Sequence, residues 1–456
     1  MKNVTAADVA SAVNGRLLCG DPGQLIENIA IDSRTMKGND IFVPIRGAKV
    51  DGHRFIQGAF QAGAVASFTA DHEEMDDPSH VYIRVEDTVK ALQDLGAWYR
   101  SRITFPILGI TGSVGKTTTR AMITAALSSE RRVTATAGNS NGQLGVPITI
   151  CDMDLSAQIG ILEMGMSEPG EMPRIARVAR PQLGVVTNIG VSHIENLGSR
   201  ENICREKLHL ADGFTPDMPM ILNGDDDLLR GYRDTKAFRP VFYGLGRDND
   251  YYAEDIHAEA GQVSFTAVHG DRRKSLTLHV PGEHNVMNAL AALAAADALG
   301  VSWDGAAAGL EAFGGFARRL QIREEAGVTF IDDTYNASPA SMKAALQVLS
   351  ATPARGKRIA VLADMLELGP DAPKYHYETG QYGCTQKVDL VCVIGTLGRE
   401  IGRAYQEAGI PVIFCESNTE AVDALKTEIH EGDVILLKGS NGMHLNEVLD
   451  GLTAGK

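Results

Sequence analysis

The chain contains 456 residues, of which 44% are hydrophobic and 22% are charged, and this composition is typical of a globular protein with two to four domains. The formal net charge of -15 disfavours binding to nucleic acid or to an anionic membrane, because both require clustered lysine and arginine. The six cysteines are scattered without a C-x-x-C pair, so neither a zinc site nor a redox motif is indicated.

The amino-terminal segment MKNVTAADVA has no apolar signal core. No uninterrupted apolar run approaches the roughly 20 residues that a membrane-spanning helix needs. We therefore expect a cytoplasmic protein without stable membrane association. We also expect a monomer whose partners are small molecules.

Residues 1–102 are predicted to form the first of three domains. Short strands and helices surround the segment IAIDSRTMKGNDIFVPIRGAKVDGHRF, and the domain ends in the helical pattern DTVKALQDLGAWYRSRI. Asp87 is a suitable N-cap for that helix, because an aspartate oxygen accepts hydrogen bonds from the free N–H groups of a first turn.

The next segment, TFPILGITGSVGKTTTRAMITAAL, predicts a strand, a glycine-rich loop and a helix, which is how a nucleotide-binding α/β unit opens. The loop has a short T-G-x-x-G-K-T form. Gly112 and Gly115 allow backbone N–H groups to face phosphates. Lys116 can reach the terminal phosphates, and the Thr117 hydroxyl can ligate magnesium. A glycine turn without a ligand is the alternative.

Two further apolar runs, AQIGILEMG and QLGVVTNIG, predict strands of a parallel sheet that is covered on both faces. Glu163 ends the first run and His193 follows the second, at the strand ends where metal ligands are expected. Alone, each could be a surface carboxylate or a loop imidazole; together, near the phosphate loop, they are candidate metal ligands. Lys207 is an ordinary solvated helix lysine on its pattern alone.

After the segment EAFGGFARRLQI the alternation of strands and helices restarts. The strand candidates are VTFIDDTY, KRIAVLADM, VDLVCVIG, IPVIFCE and GDVILLKGS. This succession predicts a second doubly wound domain over residues 317–456. The middle domain then covers residues 103–316, and the chain is of the α/β class.

Over essentially its whole length the chain resembles the Mur ligases, through the ordered segments TGSVGKTTT, EMGMSEPGE, TNIGVSHIENLGSRENICREK, GEHNVMNALAA, RRLQI, DDTYNASPASM, LADMLELG and LKGSNGM. The resemblance implies an N-terminal UDP-substrate α/β domain and a central P-loop ATPase-like parallel-sheet domain. It also implies a C-terminal Rossmann-like domain that contributes to binding ATP and the amine substrate.

The segments DDTYNASPASM and DMLELG are similar to those of the family members that add D-alanyl-D-alanine to UDP-N-acetylmuramoyl-tripeptide. The resemblance therefore implies ATP-dependent amide formation through an acyl phosphate, in the synthesis of peptidoglycan precursors. Three alternatives remain: a sister ligase that uses another amine, a non-catalytic sensor of a UDP-linked precursor, and a GTP switch. The switch is disfavoured, because the sequence contains no N-K-x-D motif for guanine.

The resemblance also implies ATP and two Mg²⁺ ions as cofactors. Lys207 matches the lysine that this family carbamylates with CO2. Such chemistry requires a neutral amine, which burial and a nearby metal favour, and it produces an anionic oxygen ligand. The implied catalytic residues are Lys116, Lys207, His193 and Glu163, and the implied metal ligands are Thr117, Glu163, His193 and Lys207.

Asn285 and Asn288 are three residues apart and share a helix face, which the family uses against the nucleotide base. Arg319 matches an arginine that can reach phosphate, and the DDTYNASP segment matches one that brings the third domain onto the nucleotide. Without the resemblance these would be capping residues and a polar turn. The implied nucleotide-binding residues are Thr111, Gly112, Ser113, Gly115, Lys116, Thr117, Thr118, His284, Asn285, Asn288, Arg319, Asp333, Tyr335 and Asn336.

Ser33 and Arg34 match residues near the uridine diphosphate, although a turn before a strand would also explain them. Asn141 matches a contact near the carboxylate end of the peptide substrate. All three are expected to bind substrate.

The sequence departs from the family pattern at three positions. Gly142 stands where the family commonly has a second asparagine, and Asn441 stands where it usually has arginine. Ala363 replaces a common glycine, which is a milder change. The first two bear on how a carboxylate or phosphate is held.

Overall fold

The computed structural model describes residues 1–454 except positions 48, 76, 78 and 260. The described strands form three sheets of five, nine and six strands in chain order. Most neighbouring strands are parallel, which confirms the predicted α/β class. The domain limits near residues 102 and 316 remain predictions, and residues 455 and 456 of the third predicted domain lie outside the described part.

The first sheet has one antiparallel pair, between its first and last strands in sequence, and is otherwise parallel. Asp87 caps the third helix as predicted, since its side chain accepts a hydrogen bond from the N–H of Lys90. The elements are β1 (Arg16–Cys19), β2 (Asn28–Ala30), β3 (Asp40–Phe42), β4 (Ala64–Thr69), β5 (Val81–Arg84), α1 (Ala6–Ala12), α2 (Ile56–Gln61) and α3 (Thr88–Arg100).

The second sheet contains both strands predicted beside the phosphate loop. The strands are β6 (Ile107–Thr111), β7 (Val133–Ala135), β8 (Ile159–Glu163), β9 (Leu183–Val186), β10 (Pro219–Asn223), β11 (Arg239–Gly244), β12 (Tyr251–Glu259), β13 (Gln262–His269) and β14 (Arg272–Leu278). The helices are α4 (Lys116–Ser128), α5 (Gly145–Asp152), α6 (Glu171–Ala179), α7 (Ile194–Leu197), α8 (Arg200–Leu208), α9 (His284–Ala298) and α10 (Trp303–Glu311).

The strand order of this sheet is β14-β13-β12-β11-β10-β9-β6-β8-β7. All residues of β6, β8 and β9 are buried, as expected for parallel strands covered by helices on both faces. β12, β13 and β14 pair antiparallel and extend the sheet, which is therefore mixed rather than purely parallel. Their half-buried faces explain why their sequence alternates instead of forming apolar runs.

The third sheet contains all five predicted strands, and an unpredicted first strand pairs antiparallel at its edge. The strand order is β15-β16-β20-β17-β18-β19. The elements are β15 (Gln321–Glu325), β16 (Val328–Asp333), β17 (Arg358–Ala363), β18 (Leu390–Ile394), β19 (Val412–Cys415), β20 (Val434–Lys438), α11 (Pro339–Ala351), α12 (Ala372–Gly383), α13 (Gly398–Glu407), α14 (Asn418–Glu428) and α15 (Asn446–Thr453).

Two packed layers hold the middle sheet. The Ala-rich helix α9 is buried on most of its surface and packs against α4 on one face of the sheet. On the other face, α3 packs against α5 and α6, so one continuous hydrophobic cluster joins the first sheet to the second. Among the described helices, none combines the length and apolar character needed to cross a membrane.

Short 3-10 helices connect several of these elements. They lie at Ser33–Thr35, Gly52–Phe55, His209–Ala211, Leu229–Tyr232, Gly369–Asp371 and Asn441–Met443.

Each sheet with its helices is called a unit below. The side chain of Arg100, at the end of α3, connects the first unit to the carboxyl end of α6. It is 5% exposed and donates hydrogen bonds to the carbonyl oxygens of Ala179 at 2.7 Å, Ile103 at 3.0 Å and Arg180 at 3.1 Å. Burial, with a smaller effect of the Arg180 charge, lowers the pKa of Arg100 to about 10. Carbonyl groups at a helix end offer a favourable site for a cation.

Replacing Arg100 with alanine should therefore destabilise the fold. The change removes charged hydrogen bonds and leaves carbonyl oxygens without a donor, so we expect the free energy of unfolding to fall by about 2–3 kcal/mol. Urea denaturation followed by circular dichroism measures this. Arg174→Ala, at an exposed position on α6, is the matched control. Equal destabilisation by both changes would contradict the role of Arg100.

Candidate active site

The phosphate loop connects the end of β6 to the start of α4. Gly112 has φ +148° and Gly115 has φ +84°, values that side chains disfavour. A Cβ atom at position 112 would lie 1.9 Å from Oγ1 of Thr187, so this position also requires glycine for space. Nζ of Lys116 donates to the carbonyl oxygen of Gly112 at 2.8 Å. The loop is therefore compact, and it lies next to Lys116, the lysine that the motif predicts to contact phosphate.

A cavity of about 810 Å³ opens at this loop, between the second and third sheets. Most of the predicted site residues share its wall. They are Ser113, Gly115, Lys116, Thr117, Thr118, Asn141, Glu163, His193, His284, Asn285, Asn288, Arg319, Asp333, Tyr335 and Asn336.

Glu163 ends β8 as a buried carboxylate, with 1% of its surface exposed. Its Oε1 accepts hydrogen bonds from Nδ2 of Asn141 at 2.8 Å and from Oγ1 of Thr117 at 3.3 Å. Nη1 of Arg120 lies 3.3 Å from Oε2, but Oε2 has no hydrogen-bond donor among the described residues. The ion pair offsets the cost of burying this charge, and Oε2 retains capacity to bind a cation.

Lys207 lies on α8 behind the loop, with 1% of its surface exposed, and is not part of the cavity wall. Its Nζ donates to the carbonyl oxygen of Gly112 at 3.1 Å. Burial, and secondarily the charge of Lys116, holds the pKa of Lys207 well below its usual range. Burial also lowers the pKa of Lys116. The solvated position suggested by the sequence pattern alone is therefore wrong, and a neutral amine at Lys207 is favoured.

The two asparagines on α9 share one face, as their spacing predicts. Nδ2 of Asn288 donates to Oδ1 of Asn285 at 2.9 Å, and Oδ1 of Asn288 accepts from Oγ1 of Thr119 at 2.9 Å. Nδ2 of Asn285 donates to the carbonyl oxygen of Pro281 at 2.8 Å. This network fixes the first turns of α9 against the helix that follows the phosphate loop.

Side chains at or near strand ends of the third sheet line the same cavity. Nη2 of Arg319 donates to Oγ1 of Thr117 at 3.0 Å, and its guanidinium carbon lies 4.2 Å from the centre of the Tyr335 ring. The carboxylate of Asp333 pairs with the buried ammonium of Lys438. Burial lowers the pKa of Arg319. The second and third units are thus in direct polar contact at the cavity.

Sequence models of three families match the chain: "Mur ligase family, catalytic domain" over residues 25–100, "Mur ligase middle domain" over 110–296 and "Mur ligase, glutamate ligase domain" over 318–441. A UDP-N-acetylmuramoyl-tripeptide–D-alanyl-D-alanine ligase of Bacillus subtilis (strain 168) is 38% identical over 455 residues, with 98% of each chain covered. The chain belongs to the Mur ligase family.

Two solved MurF structures are similar over nearly the whole chain. MurF from Acinetobacter baumannii has a TM-score of 0.89 at 29% identity, covering 98% of both chains. MurF ligase from Thermotoga maritima, solved in complex with ADP, has a TM-score of 0.82 at 27% identity and covers 94% of this chain and 98% of that one. These similarities confirm the three-part Mur ligase architecture predicted from the motifs.

Not every predicted residue of this Mur ligase reaches the cavity wall. Thr111, at the end of β6, and Gly112, at the start of the loop, are buried and do not line the cavity. Ser33 and Arg34 lie in a 3-10 helix outside the wall, and the 87% exposed side chain of Arg34 pairs with Asp32. Any contact that these two make with substrate would have to come from outside the cavity as it stands.

The departures from the family pattern differ in position. Gly142 lies in the cavity wall, and a Cβ atom there would meet nothing within 4 Å. Asn441 is exposed and lies outside the wall. Ala363 is buried at the end of β17. A Cβ atom added to the neighbouring Gly439 would lie 2.8 Å from the Cβ atom of Ala363.

Four residues of this site were absent from the sequence prediction. Arg120 pairs with Glu163, and Oδ1 of Asn188 accepts from the N–H of Val114 in the phosphate loop. Lys438 stood in a quoted motif but was not selected, and Arg120 is one helical turn after Lys116, so both could have been found. The remaining residue is Glu367, whose Oε2 lies 2.6 Å from Nδ1 of His193.

Within the described residues, one compact group of metal-binding side chains occurs, and it lies elsewhere. Asp51, His53 and Asp71 place ligand atoms within 4.8 Å of one another. Arg46 pairs with both aspartates of that group, which reduces its capacity for a cation. Glu163 and His193 share the cavity wall without forming such a group.

The stability of the fold should depend on the protonation of His284. Burial lowers the pKa of His284 to about 4, so its imidazole stays neutral in the folded chain while an unfolded histidine takes up a proton below about pH 6.5. The stability contributed by the neutral form is complete above about pH 6.5 and is lost as pH falls towards 4.

We therefore expect His284→Asn to lose less stability than the wild type between pH 7 and pH 5. Urea denaturation at a series of pH values measures the difference. His257→Asn, at an exposed position on β12, should follow the wild-type curve. Parallel curves for wild type and His284→Asn would refute the expectation.

Proposed function

We propose that this Mur ligase adds D-alanyl-D-alanine to UDP-N-acetylmuramoyl-tripeptide with ATP, and so produces the UDP-linked pentapeptide precursor of peptidoglycan. The observation that carries the proposal is 38% identity, over 98% of both chains, to the Bacillus subtilis ligase with that name. The cavity supports it, because a phosphate loop there faces polar residues of a second α/β unit. A sister ligase or a binding-only protein has no comparable support.

ATP serves as the substrate that activates the acid. An oxygen of the tripeptide carboxylate attacks the γ-phosphorus, the bond to the β-phosphate oxygen breaks, and ADP leaves. The uncharged amine of the dipeptide then attacks the acyl phosphate carbonyl, and the tetrahedral intermediate expels phosphate. Loss of the extra amine proton completes the amide. Lys116 and the loop N–H groups stabilise charge on the transferring phosphoryl group.

The residues present fit magnesium. Glu163 offers a buried oxygen without a hydrogen-bond donor, and Thr117 offers a hydroxyl beside it. Thr117, Glu163 and His193 would hold Mg²⁺, with two ions in the complete site. When bound, Mg²⁺ would reduce the repulsion between the carboxylate and the γ-phosphate.

Lys207 is proposed to become a carbamate. Its neutral Nζ attacks the carbon of CO2, the N–C bond forms, and one nitrogen proton leaves to the solvent. The product carries a negative charge on oxygen, so an anion replaces a neutral amine beside Lys116. Burial and the low pKa of Lys207 support this step.

The remaining assignments follow the same proposal. Arg319 and the asparagines of α9 would bind the nucleotide, and Ser33, Arg34 and Asn141 would bind the UDP-linked peptide. Access of Ser33 and Arg34 to that substrate would require the first unit to move closer. We also propose that the enzyme works as a monomer in the cytoplasm, where ATP is available.

One assay tests the function directly. The protein is supplied with ATP, Mg²⁺ and UDP-N-acetylmuramoyl-tripeptide, and phosphate release is measured with and without D-alanyl-D-alanine. Release that depends on the dipeptide, together with the product mass of the amide, would support the proposal. Lys116→Ala provides the inactive control. Release that depends on a single amino acid instead would identify a sister ligase.

Replacing Lys207 with alanine should reduce ligation by at least about 100-fold, because a charged group placed for phosphoryl transfer contributes on this order. A short added carboxylate should restore part of the rate by supplying the missing anion. Lys426→Ala, at an exposed position on α14, should leave the rate unchanged.

A second measurement separates carbamylation from folding. Incubation with ¹³C-bicarbonate should give a carbamate resonance in the wild type and none in Lys207→Ala, while circular dichroism shows both chains folded. Full activity of Lys207→Ala without additives would rule out the carbamate.

A further inference from the structure

Two loops from different sheets meet at the edge of the cavity. The loop after β9 carries His193, and the loop after β17 carries Glu367. Oε2 of Glu367 lies 2.6 Å from Nδ1 of His193, a close contact whose angle departs from that of a hydrogen bond. Nδ1 is buried and has no hydrogen-bond partner of good geometry among the described residues. Glu367 is therefore the partner available to this nitrogen.

The packing around this pair is close. His193 has φ +64° and Glu367 has φ +63°, so both backbones are in the left-handed region. A Cβ atom at Gly369 would lie 3.3 Å from Cα of Glu195, and Val191 packs against the hydrophobic cluster of the third unit. The two loops therefore pack closely against each other, which limits the positions that His193 and Glu367 can take.

An imidazole has two distinct nitrogens, and the partner of one determines what the other can do. A carboxylate that accepts the Nδ1–H leaves Nε2 with a free lone pair. Histidines that bind metals commonly use such a partner to fix the tautomer and the orientation of the ring. His193 lies in the cavity wall, so its second nitrogen is the one available to the site.

We propose that Glu367 is a positioning residue: a small turn of the imidazole allows its carboxylate, 2.6 Å away, to accept the Nδ1–H of His193 and to hold the Nε2 lone pair ready for the cation of the proposed function. Because Glu367 belongs to the third unit and His193 to the second, this orientation exists only while the two units are docked. The cation site is then complete only in the docked arrangement.

The test compares Glu367→Ala and Glu367→Gln with the wild type, with Glu378→Ala on α12 as the control for loss of an exposed carboxylate. Mn²⁺ binding in the presence of a non-hydrolysable ATP analogue is measured by electron paramagnetic resonance. Of the two Mn²⁺ sites, we expect the one with lower affinity to bind about 10-fold more weakly in Glu367→Ala than in the wild type. Removing the carboxylate partner of a metal-binding histidine has an effect of this size in other proteins. Glu367→Gln should stay within about threefold, because its amide oxygen still accepts the hydrogen bond.

Small-angle scattering of the same variants separates positioning from simple docking. A wild-type radius of gyration together with weakened Mn²⁺ binding in Glu367→Ala supports positioning. Unchanged Mn²⁺ affinity in Glu367→Ala overturns the positioning role, whether or not the radius of gyration increases. An equal loss of Mn²⁺ affinity in Glu367→Ala and Glu367→Gln also overturns it. Wild-type protein that binds Mn²⁺ but does not ligate would refute the proposed function and leave this comparison intact.

Discussion

Two lysine side chains donate to one carbonyl oxygen, that of Gly112, and the organisation of the site depends on this arrangement. Two ammonium groups this close would repel each other, and burial would strengthen the repulsion because little solvent screens it, so Lys207 favours the neutral amine. The fixed charges nearby reduce it only partly, since the carboxylate of Glu163 already pairs with Arg120. Nucleotide phosphates, or conversion of Lys207 to an anion, would relieve it. The site is therefore built to receive negative charge, although the chain as a whole is acidic.

The same constraint explains the contacts from the third unit. Arg319 brings a further cation to the Thr117 hydroxyl, and its stacking on Tyr335 holds the guanidinium in place, with no carboxylate paired to it among the described residues. A permanent ion pair would have lowered its attraction for phosphate. Glu367 differs from Arg319, because it carries a negative charge. It contacts His193 and therefore does not neutralise the lysines or the arginine of the cavity. The third unit thus adds the Arg319 guanidinium to the cavity wall and the Glu367 carboxylate beside His193 at its edge.

Strands that are buried on both faces were predictable from the sequence. In β8, for example, the residues IGIL are apolar at every position and are followed by the polar residue Glu163. The hairpins β12–β14 were not, since one exposed face makes their sequence alternate like a loop segment. Within the site, the location of Lys116 was predictable, because the pattern T-G-x-x-G-K-T places it between a buried strand and a helix. The contact between Glu367 and His193 was not, because it joins loops 174 residues apart in the chain and depends on how two units dock.

Gly142 illustrates how structure changes the meaning of a departure. Glycine is often required by a left-handed backbone or by a close neighbour, as at Gly112, but position 142 has neither constraint. The empty volume beside it belongs to the cavity and is open to a ligand or to water. Asn441 lies outside the wall, so its change leaves the cavity lining as it is. Of the two departures, the glycine is therefore the one that alters the shape of the cavity, beside the Asn141 side chain that donates to Glu163.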